Sequence, residues 1–285
     1  MPAMHLGRLC VLAAFVWTTV SAGVEARPLE QVKAANDLFV VAYEDNKPFS
    51  WSADDGTPMG IDVDLAKAIA EKLGVDATIE LRMQAERADG DVRTNIIRGT
   101  VGGGKTADIL MNVPFDPEFA RKFDDALIAN PYFQQTVALA INPQKIPSNA
   151  TFEIFRKEKV GVKLASVSDY FLMGYGDGAL VNNISHFTRG PVGAKEFVDG
   201  ETSAVLGVRS EIEGTLAELG VKATFITPDM PDIIRKTWAI SLATHADSKD
   251  LSDAAGKALA ELRKSGNLKE IFAKYGVTYI APPEG

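Results

Sequence analysis

The chain has 285 residues, of which 46% are hydrophobic, enough to bury one or two sizeable cores. Its net charge of −8 argues against a phosphate-backbone partner, and so against a nucleic-acid function. The single cysteine, Cys10, falls in the N-terminal leader, which excludes disulfides, thiol catalysis and cysteine-bound metals from the rest of the chain.

Met1 to Ala26 reads as a cleavable signal peptide. His5 and Arg8 make a weakly basic start, and Leu9 to Val20 is an apolar run too short to span a bilayer comfortably. Cleavage suits either Ala22 or Ala26, with Ala26 preferred. The expected product is a soluble, acidic, monomeric protein exported to the periplasm.

Leu38 to Tyr43 is rich in β-branched and aromatic residues and predicts a buried strand. Glu44 to Trp51 leaves its carboxyl end as a loop. In Gly60 to Leu73, the residues Leu65, Ile69 and Leu73 recur at helical spacing with Ala66 and Ala70 beside them. Asp62 or Asp64 is placed to cap this helix, and Gly74 suits a left-handed end. Ala77 to Arg82 predicts the next strand. Strand, helix, strand at this spacing is a βαβ unit, so the fold class is α/β with a parallel sheet covered by helices. Ligands of such sheets bind outside the carboxyl ends of the strands, which puts Glu44, Phe49 and Trp51 at a site mouth. The two aromatic rings suit stacking there, with core packing as the alternative.

Asp91 to Arg98 predicts a short helix. Gly99 to Thr106 then matches the phosphate-loop pattern GxxxxGK[ST] letter for letter. That chemistry needs a strand before the loop and a helix after it, so that N–H groups and the helix dipole meet at phosphate. Here the order is reversed, because Ala107 to Val113 reads as a strand, and the segment is taken as a glycine turn. Asn112, Pro114 and Asp116 end that strand and are candidate ligand contacts, although Asp116 before Pro117 is also a good helix cap. Asn130 to Phe133, with Tyr132 as a candidate site or core residue, leads into a strand over Thr136 to Asn142.

The polar stretch Pro143 to Asn149 marks a boundary, after which the pattern restarts. Strands are expected at Val160 to Val162, Ala179 to Ile184, Ser203 to Val208 and Ala223 to Ile226. Helices are expected at Ser166 to Met173, Pro191 to Phe197 and Glu211 to Leu219. Ser166 and Ser168 open a helix whose first N–H groups favour anions, with N-capping accounting for one of them. Arg209 is a candidate partner for a carboxylate. Trp238 to Thr244 is again strand-like, and helices follow over Ser248 to Arg263 and Leu268 to Tyr275. Two chain crossings, near residues 138 and 241, predict two α/β domains joined by a two-strand hinge. The first would comprise 27–138 plus 242–285, and the second 139–241.

Catalytic hardware is sparse. His186 and His245 lack metal-ligand or triad spacing, and Ser168-Asp169 has no nucleophile-elbow context. The carboxylate pairs Asp54-Asp55 and Asp124-Asp125 are sequence neighbours that suit turns. No catalytic residue, metal or cofactor is expected.

Gly60 to Leu73 resembles the signature of bacterial extracellular solute-binding proteins of family 3. The similarity extends through Pro48-Phe49, Ala107 to Ile109, Asn130 to Phe133, Lys159 to Val162 and Gly266 to Gly276. The resemblance implies a two-lobed periplasmic-binding-protein fold of type II, closing on a small polar solute for an ABC-type importer. Two positions depart from the amino-acid binders of that family. The arginine that clamps an α-carboxylate corresponds to Phe119, and the aspartate that anchors an α-ammonium corresponds to Val208. Losing both halves of the clamp argues against an ordinary α-amino acid and for a polar or anionic solute with a stacking face. Asp108 to Pro114 also resembles a branch that accompanies periplasmic quinoprotein dehydrogenases of the methanol type, which implies an accessory, partner-binding role as the alternative. A lyase-like catalytic descendant is the second alternative.

Overall fold

The computed structural model describes residues 26–100, 104–231 and 235–283. The proposed leader therefore lies outside the described residues, apart from Ala26. Among the described residues no helix is long and apolar enough to cross a membrane.

A short helix α1 (Leu29–Ala35) leads into β1 (Asp37–Tyr43), then a small hairpin β2 (Trp51–Ser52) and β3 (Pro58–Met59), helix α2 (Ile61–Leu73) and β4 (Asp76–Arg82). Next come α3 (Ala88–Val92), which continues as a π-helical turn, then β5 (Ile109–Phe115), α4 (Pro117–Ala120) and the long β6 (Ala126–Ile141). The chain continues as β7 (Val160–Lys163), α5 (Val167–Gly174), β8 (Ile184–Phe187), α6 (Gly190–Val198), β9 (Ala204–Val208), α7 (Arg209–Glu218) and β10 (Thr224–Ile226). It closes with β11 (Thr237–His245), α8 (Lys249–Ser265) and α9 (Asn267–Lys274).

The strands run in the order β4-β1-β5-β11-β6-β9-β7-β8, with β10 also on β6. β1 is parallel to β4 and β5, and β7 is parallel to β8 and β9. β6 serves both halves of this sheet. Ala126 to Thr136 pair antiparallel with β11, whereas Val137 to Ile141 pair with β9 and β10. The changeover falls where the returning chain arrives, since the Val137 N–H donates to the Lys236 carbonyl at 2.8 Å. Each half has its own cores on the two sheet faces. In the first, Ile61, Leu65 and Ile69 of α2 pack with Leu251, Leu259 and Phe272 of the last helices, while Val41, Ile96 and Leu110 form the opposite face. In the second, Phe152, Phe155, Val160 and Leu172 pack on one face, and Phe187, Phe197, Val205 and Leu216 on the other.

Three local expectations are corrected. Asp62 and Asp64 do not cap α2, which starts at Gly60 with φ 126° and no side-chain cap. A Cβ there would lie 2.2 Å from the Phe49 carbonyl oxygen, so the turn into the helix needs glycine. Ala179 and Leu180 lie in a turn that runs into a short 3-10 helix (Val181–Asn183), with strand only from Ile184. The chain is bent there by Gly176, Asp177 and Gly178 at positive φ, and a short apolar run carries no periodicity to separate strand from turn. Asn130 to Phe133 is not a lead-in but the middle of β6. Asn130 takes φ 59° where the β11 register shifts, and Pro131 is tolerated at that bulge.

Candidate functional site

The parallel strands β7, β8 and β9 end on one edge, and helices α5, α6 and α7 start from it. A cavity of about 360 Å³ opens on that edge, a volume in the usual range for small-molecule sites. Its floor is Phe187, Ala194, Val205 and Leu216, the small apolar cluster under α6 and α7. Its mouth carries Lys163, Ser166, Ser168, Glu211, Arg235 and Trp238.

The loop from Lys163 to Ser168 is shaped by its own hydrogen bonds. Ala165 sits at φ 59°, and its N–H donates to Asp169 Oδ2 at 2.8 Å. Asp169 is buried, and its other oxygen pairs with His186 Nε2 at 2.9 Å, which gives that histidine a structural use. Ser166 caps α5, its hydroxyl accepting from the Asp169 N–H at 3.1 Å. Ser168 is 4% exposed and lines the cavity. Lys163 Nζ lies 4.0 Å from Glu211 Oε2. Desolvation raises the Glu211 pKa and Lys163 opposes the rise. The Glu211 side chain still keeps 44% of its surface in solvent, which limits the shift. Arg235 pairs with Asp116 Oδ2 at 2.7 Å, linking the cavity mouth to the end of β5. Asp116 is also the cap of α4, accepting from the Phe119 N–H at 2.8 Å. That N–H and then Arg235 hold its pKa below the usual carboxylate range.

Of the residues expected at a site, Ser166 and Ser168 line this cavity, and Asp116 reaches it through Arg235. The others are placed elsewhere. Phe49 is 2% exposed and packs against Phe133 and Phe272, so neither ring face is free for stacking. Trp51 is partly exposed, with its ring against the edge of Tyr275 and Lys47 above it. Tyr132 is fully buried and donates to Asp62 Oδ1 at 2.7 Å, while Asn112 Nδ2 donates to Oδ2 at 3.0 Å. Burial pushes the Asp62 pKa up to about 6 against these two hydrogen bonds. Pro114 lies within β5 opposite Ile240. Glu44 borders a separate depression with Glu80, Arg82 and Asn95. Arg209 faces away from the cavity, and Glu213 already satisfies it at 2.9 Å while Phe225 lies beneath its guanidinium.

Sequence reasoning missed Lys163, Glu211, Arg235 and the apolar floor. Lys163 and Glu211 flank predicted strand and helix ends, so carboxyl-edge placement was the available signal. Arg235 sits in an aperiodic stretch and offered none. The glycine-rich Gly99 to Thr106 segment is partly outside the described residues. Its described part borders a different hollow, near Phe39 at the amino-terminal half of β1, and a strand follows it.

Comparison with known proteins bears on the fold and the family. The family description "Bacterial extracellular solute-binding proteins, family 3" matches residues 38–97, which run from the second residue of β1 through α2 and β4. The L-cystine-binding protein TcyJ of Escherichia coli K12 is 24% identical over 283 residues, covering 96% of this chain and 97% of that protein. The comparisons support family 3 of the bacterial extracellular solute-binding proteins. Among solved structures, a polar amino acid ABC uptake transporter substrate-binding protein from Streptococcus thermophilus superposes with a TM-score of 0.71 at 16% identity, covering 89% of this chain and 90% of that one. An ancestral cationic amino acid solute-binding protein gives 0.67 at 20% identity, covering 87% and 99%. These solved structures share the type II periplasmic-binding-protein fold of two α/β halves, which is the fold seen here.

Proposed function

We propose that this chain is a periplasmic solute-binding protein, a binding protein and not an enzyme, that captures a small molecule for an ABC-type importer. The observation that carries the reading is the largely apolar cavity at the carboxyl edge of β7, β8 and β9, bordered by Lys163, Ser166, Ser168, Glu211 and Arg235. The lobes are taken as 27–136 with 237–283, and 137–236, because β6 changes partners between Thr136 and Val137. Closure of one lobe on the other is supported by exposed apolar side chains at both edges: Phe115 on the first, and Leu164, Val167 and Tyr170 on the second.

A standard α-amino acid is disfavoured as the cargo. Phe119 stands at the carboxylate-clamp position and packs edge-on against Phe123, while Arg121 is 71% exposed beside Glu118. Val208, at the ammonium position, brings no charge. A thermal-shift screen of the exported protein against a broad metabolite set, paired with small-angle scattering, tests the reading. A ligand that raises Tm and reduces the radius of gyration is the expected result. A set that leaves both unchanged removes the proposal.

The run Asp108 to Pro114 favours a second reading, an accessory partner of a periplasmic quinoprotein dehydrogenase. Affinity capture from periplasm that recovers no dehydrogenase would leave it without support.

A further inference from the structure

The recess under α6 and α7 exists because of what α6 does not carry. Gly190 and Ala194 stand about one helical turn apart on α6, and both line the cavity. Opposite them α7 presents Ile212, Thr215 and Leu216, and the sheet adds Val137, Val205 and Phe187. One bulky wall and one bare wall leave space between the two helices, where a protein interior would ordinarily close to crystal-like density. The bare wall is also held in place. A Cβ on Gly193 would lie 2.3 Å from the Phe187 ring, so α6 rests directly on that ring and cannot sink further into the gap.

The described residues that line the cavity all lie between Val137 and Trp238, that is, in the second half and the start of β11. The recess is thus built without a contribution from the described residues of the first half. Its inner lining is hydrocarbon, since Phe187, Ala194, Val205 and Leu216 are buried together and Ile212 packs against them. An apolar cavity of roughly 150 Å³ admits benzene, and about 360 Å³ leaves room for a longer chain or a substituted ring. Water in such a space finds few partners, so an apolar group gains by displacing it.

Resting on the solute-binding reading, we infer that the second half by itself holds an uncharged alkyl or aryl group of the solute in the recess between α6 and α7, with Ala194 and Phe187 setting how large that group can be. The first half meets only the part of the solute that projects from the mouth.

Titration calorimetry of the exported protein with the straight-chain alcohols propanol, pentanol, heptanol and nonanol, paired with small-angle scattering, tests this directly. The alcohols carry no charge, so they probe the recess and not its rim. One site should saturate, and each added methylene should tighten binding by about fourfold until the recess is filled. The radius of gyration should stay unchanged throughout. Ala194→Leu adds bulk to the bare wall and should weaken heptanol at least roughly tenfold. Phe187→Leu should instead let further methylenes add affinity. A Tm measured on each variant separates loss of the recess from loss of the fold. Three results would overturn the assignment: no dependence on chain length, binding that always comes with a smaller radius of gyration, or unchanged heptanol affinity in a folded Ala194→Leu. If the metabolite screen finds a ligand that Ala194→Leu does not weaken while the alcohols fail to bind, the recess is wrong and solute binding stands. If neither the screen nor the alcohols give binding, both fall.

Discussion

Asp62 shows how much a single side chain of the α2 signature does beyond its own helix. It is fully buried and ties α2 to β5 through Asn112 and to β6 through Tyr132. Its pKa is raised from 3.8 to about 6, chiefly by desolvation. A carboxylic acid with a raised folded-state pKa binds its proton more tightly when folded, so its contribution is complete below pH 3.8 and declines as pH rises to 6. The loss is at most about 3 kcal/mol above that window. Urea unfolding between pH 4 and pH 7 should show stability falling with pH, and Asp62→Asn should flatten that slope. An identical slope in the variant would refute the linkage. Phe49 is the complementary case. Its neighbours by sequence suggested a ligand-stacking ring, but Phe133 and Phe272 enclose it, so Phe49→Ala should cost roughly 3–5 kcal/mol in stability measured by chemical unfolding.

At the level of elements, α2 and α5 illustrate two ways of starting a helix. α2 begins on a glycine wedged under the Phe49 carbonyl, and Gly60→Ala should lose about 2–4 kcal/mol, because the new Cβ meets backbone that cannot yield. A Tm unchanged by that substitution would mean the turn relaxes freely. α5 begins on a serine cap. Ser166→Ala should cost about 1 kcal/mol in unfolding free energy, whereas Ser168→Ala, which leaves the cap intact, should cost less than Ser166→Ala. Two serines separated by one residue thus differ in what they do for the helix, and melting the two variants side by side checks it. The capped helix start was legible in the sequence. Which serine was the cap was not, since capping depends on which hydroxyl lies over the third N–H of the helix.

On the scale of the whole molecule, α7 joins the two halves. One face, at Ser210, Glu213, Gly214, Ala217 and Glu218, lies against the first half. Ser210 donates to Gln135 at 2.7 Å, Glu213 accepts from the Thr278 N–H and hydroxyl at 2.8 Å each, and Glu218 pairs with Lys47 at 2.9 Å. The opposite face, at Glu211, Ile212 and Thr215, lines the cavity. A residue spacing of three to four keeps each set on its own side of the helix. A Cβ on Gly214 would lie 2.8 Å from that of Pro48, so Gly214→Val should wedge the halves apart. Scattering should report a larger radius of gyration, with a loss of about 1–3 kcal/mol on unfolding. Unchanged size and stability would show that this contact does not govern how the halves meet.

The sequence by itself determined the α/β class, the amphipathic α2 with its left-handed end at Gly74, the strand-helix order that disqualifies the phosphate-loop match, and the absence of charge at Phe119 and Val208. Each is a local property, carried by side-chain period, by residue type or by the order of neighbouring elements. Only the tertiary structure decided where a ligand can sit. The cavity collects Val137, Lys163 to Ser168, Phe187 to Ala194, Val205 to Leu216, and Arg235 with Trp238, five segments that meet only once β6 and β11 have brought the chain back on itself. Local periodicity reports that a face is buried but not what it is buried against. For that reason Phe49, Tyr132 and Arg209 could be read as site residues until their partners were in place.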